Sequence, residues 1–264
     1  MTPPPWDSYA HIGLHRGTSA SALLAEMECC GIRRATLVPF LNAPGFDDLL
    51  QAAEEQPDRF CAVCRLDLDQ PADQLSRSAA SVLERGFRGA RVVLPAPGDD
   101  EAAMSAILHA IESQDKVLVA HAPGGQGVHA GQIAGWLARY PRLRVFVPHL
   151  GWPRTAQGEA TPGWLEGLAL LAGQERVFFG LSALYFFSSR PLPFADTFDW
   201  VRAILDRCGP ARCVLAGDYP MTLDRCSYGQ VWESLRLAVN DGAAYEQMEL
   251  RTPRRLWGGG EEGP

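Results

Sequence analysis

Short apolar segments alternate with longer segments of helical character eight times along this chain. The apolar segments carry few polar residues in alternation, which is typical of parallel strands buried on both faces. The sequence predicts strands over residues 6–12, 35–40, 59–66, 89–94, 117–121, 143–149, 177–182 and 213–218. Glycine stops and polar starts predict intervening helices over residues 19–30, 46–55, 71–85, 100–114, 130–140, 162–172, 194–208 and 229–240.

Eight successive β–α units predict an α/β protein with a single (β/α)8 TIM barrel, because eight parallel strands close such a sheet. An open doubly wound sheet is the alternative, and it is disfavoured because no glycine-rich phosphate turn follows the first strand. We assign residues 1–258 to the barrel domain, including a short C-terminal helical tail over 243–257. Residues 259–264 are predicted to be a disordered tail.

The overall charge limits the classes of partner. The formal net charge is -7, which argues against nucleic acid or an anionic membrane, because both are bound through clustered Lys and Arg. A small-molecule substrate is therefore the expected partner. The N-terminal residues do not have the pattern of a signal peptide. No apolar run approaches the ~20 residues that cross a bilayer. A cytoplasmic location is therefore expected.

Polar side chains stand at the ends of most of the predicted strands. In a barrel, the carboxyl ends of all strands meet at one face, where active sites lie. The chemically useful residues at these ends are His11, Arg65, Arg91, His121, His149, Ser182 and Asp218. Three imidazoles and a carboxylate suit a divalent metal, or acid–base catalysis without one. Two arginines suit a substrate carboxylate, which a guanidinium can bind with two hydrogen bonds.

Each of these residues also has a structural interpretation. A single histidine at a strand end is often a satisfied structural residue, and Asp218 could cap a turn. Arg65 and Arg91 could be solvated, or could pair with Asp67 and Asp69. The functional interpretation rests on their joint placement at one face of the predicted barrel.

Six motifs, in order along the chain, resemble those of a known family. They are WDSYAHIG, GFRGARVVL, VLVAHAPG, VFVPHLGWP, VLAGDYP and RTPRRLWG. In this order they resemble the family's D-x-H-x-H, G-F-x-G-V-R, its two histidine motifs, G-S-D-x-P and N-A-x-R-L-F-G. The chain thus resembles the amidohydrolase-related family of metal-dependent hydrolases with a barrel fold. That family includes pyrone dicarboxylate lactonases and aminocarboxymuconate semialdehyde decarboxylase-like enzymes.

The resemblance implies roles for individual residues. His11, His121 and Asp218 match positions that bind a divalent metal, usually zinc, in metal-bearing members. Asp218 also matches the general base. His149 matches the histidine that polarises the substrate or activates water, and Arg91 matches an arginine that suits an anionic substrate.

The chain departs from the family pattern at Tyr9, which replaces the first histidine of the strand-one pair. A protonated tyrosine is a poor zinc ligand, because its unperturbed pKa is near 10. His11, His121 and Asp218 would still leave three protein ligands and an open position, as catalytic zinc requires. Some family members hydrolyse lactones without metal, so the resemblance leaves both a zinc enzyme and a metal-free enzyme open.

The first functional hypothesis is a hydrolase of a small, carboxylated cyclic ester or amide. Asp218 would activate water, and His149 and His121 would polarise the carbonyl group. Arg91 and Arg65 would hold the substrate carboxylate. Aromatic residues expected to line the pocket are Tyr9, Trp152 and Tyr185.

The sequence leaves two alternative functions open. One is a metal-dependent non-oxidative decarboxylase that uses the same site. The other is a catalytically degenerate barrel that binds a ligand or a partner protein, for which Tyr9 is the main support. Members of the family often associate, so a homodimer is compatible with the resemblance.

Overall fold

Eight parallel strands form one sheet in chain order, from β1 through to β8. The computed structural model describes residues 5–122, 124–155 and 157–258. Its strands are Trp6–Ala10 (β1), Arg34–Leu37 (β2), Phe60–Arg65 (β3), Gly89–Val93 (β4), Val117–His121 (β5), Arg144–Val147 (β6), Val177–Leu181 (β7) and Cys213–Leu215 (β8). The predicted (β/α)8 barrel is confirmed. The disordered tail predicted over 259–264 lies outside the described residues.

Helices follow the strands and cover the outside of the barrel. They are Ala20–Cys30 (α1), Asp47–Glu55 (α2), Ala72–Glu84 (α3), Glu101–Ser113 (α4), Gln126–Arg139 (α5), Trp164–Ala172 (α6), Leu184–Phe187 (α7), Phe198–Cys208 (α8), Tyr228–Val239 (α9), Gly242–Glu246 (α10) and Thr252–Trp257 (α11). Among the helices of the described ranges, none combines the length and the apolar character needed to cross a bilayer.

Local sequence signals set several helix ends. Ser19 accepts a hydrogen bond from the Ala22 amide at the start of α1, and Gly31 ends that helix with φ 74°. Ser227 and Gln230 form a reciprocal capping box at the start of α9.

Several element ends differ from the sequence prediction: β6 ends at Val147 rather than at residue 149, β8 ends at Leu215 rather than at residue 218, and α8 begins at Phe198 rather than at residue 194. Helix α5 begins at Gln126 rather than at residue 130, and the loop after β7 contains the short helix α7.

The inside of the barrel is filled rather than open. Inward-facing side chains form an apolar cluster, whose larger members are Trp6, Tyr9, Phe146, Phe178 and Trp257. Helix α11 closes the N-terminal end, because Arg144, at the start of β6, donates hydrogen bonds to the carbonyl oxygens of Arg255 and Leu256. The C-terminal mouth is left as the accessible end.

The barrel closes where β8 meets β1. The Asp218 amide donates to the Tyr9 carbonyl at 2.9 Å, and the His11 amide donates to the Tyr219 carbonyl at 2.7 Å. The buried side chain of Asp7 adds further hydrogen bonds at this seam. It accepts hydrogen bonds from the Gly217 amide (2.9 Å), the Tyr9 amide (3.0 Å) and the Tyr228 hydroxyl (2.7 Å). The seam therefore fixes the residues on either side of Asp218.

Burial raises the pKa of Asp7 to about 7, although its hydrogen bonds from Gly217, Tyr9 and Tyr228 oppose the shift. The folded protein thus retains a proton that the unfolded chain releases near pH 4. We expect the contribution of Asp7 to the free energy of unfolding to be greatest below pH 4. It should be lost as pH rises through about 7, by an amount on the order of a few kcal/mol.

Asp7→Asn should remove this decline, because asparagine cannot ionise. The check is denaturant unfolding of both proteins at pH 5 and pH 8, with the exposed Asp199→Asn as a matched control. An equal pH dependence in wild type and Asp7→Asn would contradict the assignment.

Candidate active site

A cavity of about 210 Å³ opens at the C-terminal mouth of the barrel. Most of the residues predicted from strand ends and loops line it together. They are His11, Arg91, His121, His149, Trp152, Tyr185 and Asp218. The barrel therefore brings together side chains that are up to about two hundred residues apart in sequence, as the placement of strand ends predicts.

Asp218 lies three residues beyond the end of β8, in a left-handed backbone conformation with φ 53°. The Tyr185 hydroxyl donates to its Oδ2 at 2.6 Å, and His11 Nε2 lies 3.5 Å from its Oδ1. Burial alone would raise the pKa of this carboxyl group. The nearby imidazoles of His149 and His11 and the hydroxyl of Tyr185 outweigh burial and hold the pKa below its usual value. Asp218 is thus an ionised carboxylate near pH 7, as a general base must be.

The ring of His11 is oriented by the strand next to it. Its Nδ1 lies 2.5 Å from the carbonyl oxygen of Val38, which can only accept, so Nδ1 carries a hydrogen. The ring also stacks on Phe40, with centroids 4.5 Å apart. These contacts direct Nε2 towards Asp218 Oδ1.

Arg91 fixes the protonation pattern of His121. One terminal nitrogen of its guanidinium donates to His121 Nδ1 at 3.1 Å, and the other donates to the Pro39 carbonyl at 2.6 Å. Because a guanidinium can only donate, the neutral imidazole of His121 carries its hydrogen on Nε2. Burial, followed by the charge of Arg91, lowers the pKa of His121 to about 2. His121 is therefore a neutral hydrogen-bond donor at any physiological pH.

The charge of Arg91 has no acidic partner among the described residues. Its side chain is 4% exposed, and no carboxylate in the described ranges lies within 4.0 Å of the guanidinium. Its Nε makes no hydrogen bond. A buried charge without a counter-ion is costly, unless a ligand supplies the opposite charge. The arrangement suits an anionic ligand in the cavity.

His149 is the first of four successive residues with positive φ. The angle is 56° at His149, the first of them, and 58° at Trp152, the last. Such conformations cost energy outside glycine and cluster at functional sites. Ser182, just after β7, accepts from the His149 amide at 3.2 Å and bonds to its Nδ1 at 3.0 Å. Burial lowers the pKa of His149 to about 4, with Arg91 adding to the effect and Asp218 opposing it. His149 is neutral near pH 7.

The residues do not form the expected metal site. Within residues 5–122, 124–155 and 157–258, no group of three or more His, Cys, Asp or Glu side chains is arranged to hold a metal ion. Of the set His11, His121 and Asp218, His121 cannot contribute in its neutral form, because Arg91 occupies Nδ1 and a hydrogen occupies Nε2. His11 and Asp218 remain as two ligands, fewer than a catalytic zinc takes from a protein. Tyr9 adds none, because burial raises its pKa to about 12.

Two predicted substrate contacts lie elsewhere. Tyr9 is fully buried and belongs to the apolar interior of the barrel, beneath the cavity. Arg65 pairs with Asp67 at 2.9 Å, and it also donates to the carbonyl oxygens of Leu41 and Ala43. Arg65 thus secures the loop after β2, and neither side chain lines the cavity.

The sequence predicts that the corner over residues 39–42 and the loop over residues 183–193 lie at the mouth, but it assigns no individual role to several residues that line the cavity. They lie on the loops after β1, β2, β7 and β8, and comprise Arg16, Phe40, Leu41, Asn42, Ala183, Phe186, Phe187 and Met221. Position after a strand marks these loops as candidates. Which of their side chains turn inward depends on loop packing.

Comparison with known proteins agrees with the fold. A family model described as "Amidohydrolase" matches residues 16–259. An L-fucono-1,5-lactonase from Burkholderia ambifaria is 28% identical over 158 residues, which is 58% of this chain and 52% of that protein. The chain therefore spans about half the length of the curated relative that it matches.

Solved structures with the same fold cover nearly all of the chain. A probable 2-pyrone-4,6-dicarboxylic acid hydrolase from Acinetobacter baumannii, with citric acid bound, has a TM-score of 0.77 and 16% identity, over 97% of this chain and 99% of that one. An amidohydrolase from Burkholderia multivorans with bound zinc has a TM-score of 0.78 and 21% identity, over 97% and 99%. At these identities the likeness shows the fold.

Proposed function

We propose that this chain, which belongs to the amidohydrolase family, hydrolyses a small cyclic ester that carries a carboxylate. The main support for this proposal is the composition of the cavity. The ionised carboxylate of Asp218 shares a cavity with the neutral donor His121 and with the buried Arg91, which has no acidic partner among the described residues. A base for water, a site for an anion and a donor for an oxyanion are thus within one small volume.

The substrate carboxylate would lie against Arg91. A guanidinium has five N–H groups, and only two hydrogen bonds are made here, to Pro39 and His121. The remaining N–H groups can bind a carboxylate without breaking either contact. This places the anion beside His121 and holds the ester carbonyl among His121, His149 and Asp218.

In the reaction, Asp218 would remove a proton from a water molecule as its oxygen attacks the ester carbonyl carbon. The negative charge moves to the carbonyl oxygen, where the Nε2–H of His121 would donate a hydrogen bond. When the tetrahedral intermediate collapses, the bond to the ring oxygen breaks. Asp218 returns its proton to that oxygen, so that lactone and water become one hydroxy acid.

The names of similar proteins support an ester as the substrate. The curated relative is named as a lactonase, and the structural neighbour from Acinetobacter baumannii is named as a probable hydrolase of a pyrone dicarboxylic acid. In the decarboxylase alternative, a metal ion would bind the substrate. The contact between Arg91 and His121 does not favour that arrangement, because it occupies Nδ1 of a histidine that would have to bind the metal.

The direct test is incubation of the purified protein with γ- and δ-lactones that carry a carboxylate, followed by NMR detection of the hydroxy acid. Ring opening above the rate without enzyme, lost in Asp218→Asn, would support the proposal. Binding without turnover for every lactone would instead favour a barrel that only binds its ligand. Calorimetry with the same compounds distinguishes that outcome from a failure to bind.

Metal removal should leave the activity unchanged, because the described residues do not supply three free ligands. We expect the rate of lactone hydrolysis after dialysis against a chelator to stay within about twofold of the rate before it, since no catalytic group here depends on a metal. Elemental analysis before and after zinc supplementation provides the second measurement. A stoichiometric metal that is lost in His121→Ala would contradict the metal-free proposal.

A further inference from the structure

The upper part of the cavity differs in chemistry from its base. On one side, Trp152, Phe186 and Phe187 form a cluster of mutually perpendicular rings, which we call the aromatic wall. Their centroids are 5.1–5.7 Å apart. Trp152 also meets the ring of His121 edge to face at 5.5 Å. The aromatic wall therefore begins beside the catalytic histidines and ends at Phe186, which is 44% exposed at the mouth.

The opposite side is also apolar. Phe40 and Leu41 follow β2, and in an eight-stranded barrel β2 lies across from β6, which leads to Trp152. Leu41 is 42% exposed, and Arg65 holds its carbonyl oxygen at 2.9 Å. This hydrogen bond joins the backbone of the loop after β2 to the end of β3.

Polar groups along this upper part are few. Two of the described residues that line the cavity have polar side chains at the rim, Arg16 and Asn42. The Arg16 guanidinium donates a hydrogen bond to the Asn42 side-chain oxygen at 3.3 Å. A ring with several hydroxyl groups would leave most of these hydroxyls without partners between the two walls, which is unfavourable. An apolar group there would instead cover Phe186 and Leu41 and remove them from water.

We infer that the substrate is a carboxylated lactone with an aryl or branched alkyl substituent, which extends from the reacting ring between the aromatic wall and Phe40–Leu41. This inference rests on the proposed function for its reacting ring. The anion lies at Arg91 in the base of the cavity, and the apolar substituent points towards solvent. The site thus selects an amphiphilic acid over a polyhydroxylated one.

The test uses γ-butyrolactone carboxylates, and their δ-ring homologues, that differ only in one substituent: hydrogen, hydroxymethyl, isobutyl or phenyl. We expect kcat/KM for the isobutyl or phenyl compound to exceed that for the hydroxymethyl compound by at least about tenfold, the scale on which an apolar pocket discriminates. Phe186→Ala and Leu41→Ala should each reduce this preference. The preference is taken within each protein, as the ratio of kcat/KM for the phenyl compound to kcat/KM for the unsubstituted one, so that a general loss of rate in a variant does not affect it.

Leu165→Ala is the matched control, because Leu165 is an exposed apolar residue on α6 outside the cavity. It should retain the full preference. Hydrolysis of the hydroxymethyl compound as fast as, or faster than, the phenyl compound would overturn the inference and leave the proposed function standing.

Binding to Asp218→Asn, measured by calorimetry in parallel, separates the two proposals. If no compound in the series is hydrolysed, the proposed function fails, and the affinities then decide the inference. Tighter binding of the phenyl compound, lost in Phe186→Ala, would still support the apolar subsite. Equal affinities for phenyl and hydroxymethyl compounds would overturn it.

Discussion

Replacing Asp218 with asparagine is expected to lower kcat for lactone hydrolysis at pH 7 by about 10³-fold, within the range that general-base catalysis contributes. Asparagine has nearly the same shape, and its carbonyl oxygen can still accept the hydrogen bond from Tyr185. Its amide cannot take a proton from water, so the effect should appear in kcat rather than in KM. Steady-state kinetics of both proteins on one carboxylated lactone provide the measurement.

The control for this experiment is Asp199→Asn, which changes an exposed carboxylate on α8 in the same way. Its kcat should equal that of wild type. Thermal unfolding of Asp218→Asn should confirm that the fold is intact. If the variant retained more than about a tenth of the wild-type kcat, too little would be lost for a general base, and His11 or His149 would have to be considered in that role.

Arg91→Met is expected to reduce kcat/KM for a carboxylated lactone by about 10³-fold, because truncating one member of a buried charge pair costs several kcal/mol. For an uncharged lactone of the same ring size, the loss should be about 100-fold smaller, since only the orientation of His121 is affected. The difference between the two losses isolates the interaction with the carboxylate. Equal losses for both compounds would contradict the proposed position of the anion.

Arg91→Met should also affect the stability of the fold. Arg91 is buried with no acidic partner in the part of the chain that the structure describes, so methionine should relieve a desolvation cost while it fills a similar volume. We expect the free energy of unfolding of Arg91→Met to equal or exceed that of wild type. Denaturant unfolding at pH 7 is the measurement. A variant that is less active and no less stable is the pattern expected where charge is buried for function.

The sequence alone was sufficient to predict the barrel and much of the lining of the cavity at its mouth. Near-continuous apolar segments are typical of strands buried on both faces of a parallel sheet, and eight strands are the number that closes a barrel. Once the barrel is assumed, strand ends share one face. The positions of Arg91, His121, His149 and Asp218 at that face then follow from their place in the chain.

The tertiary structure alone decided how these residues are used. The register of β1 shifts between Asp7 and Ala10, so the alternation of side chains breaks and Tyr9 points into the barrel. Arg65 is bound to the loop after β2, and the tautomer of His121 is set by Arg91, a residue on the neighbouring strand. The aromatic wall depends on how the loops after β6 and β7 pack. Strand patterns depend on local periodicity, whereas these contacts join residues far apart in the chain, and only the folded protein brings them together.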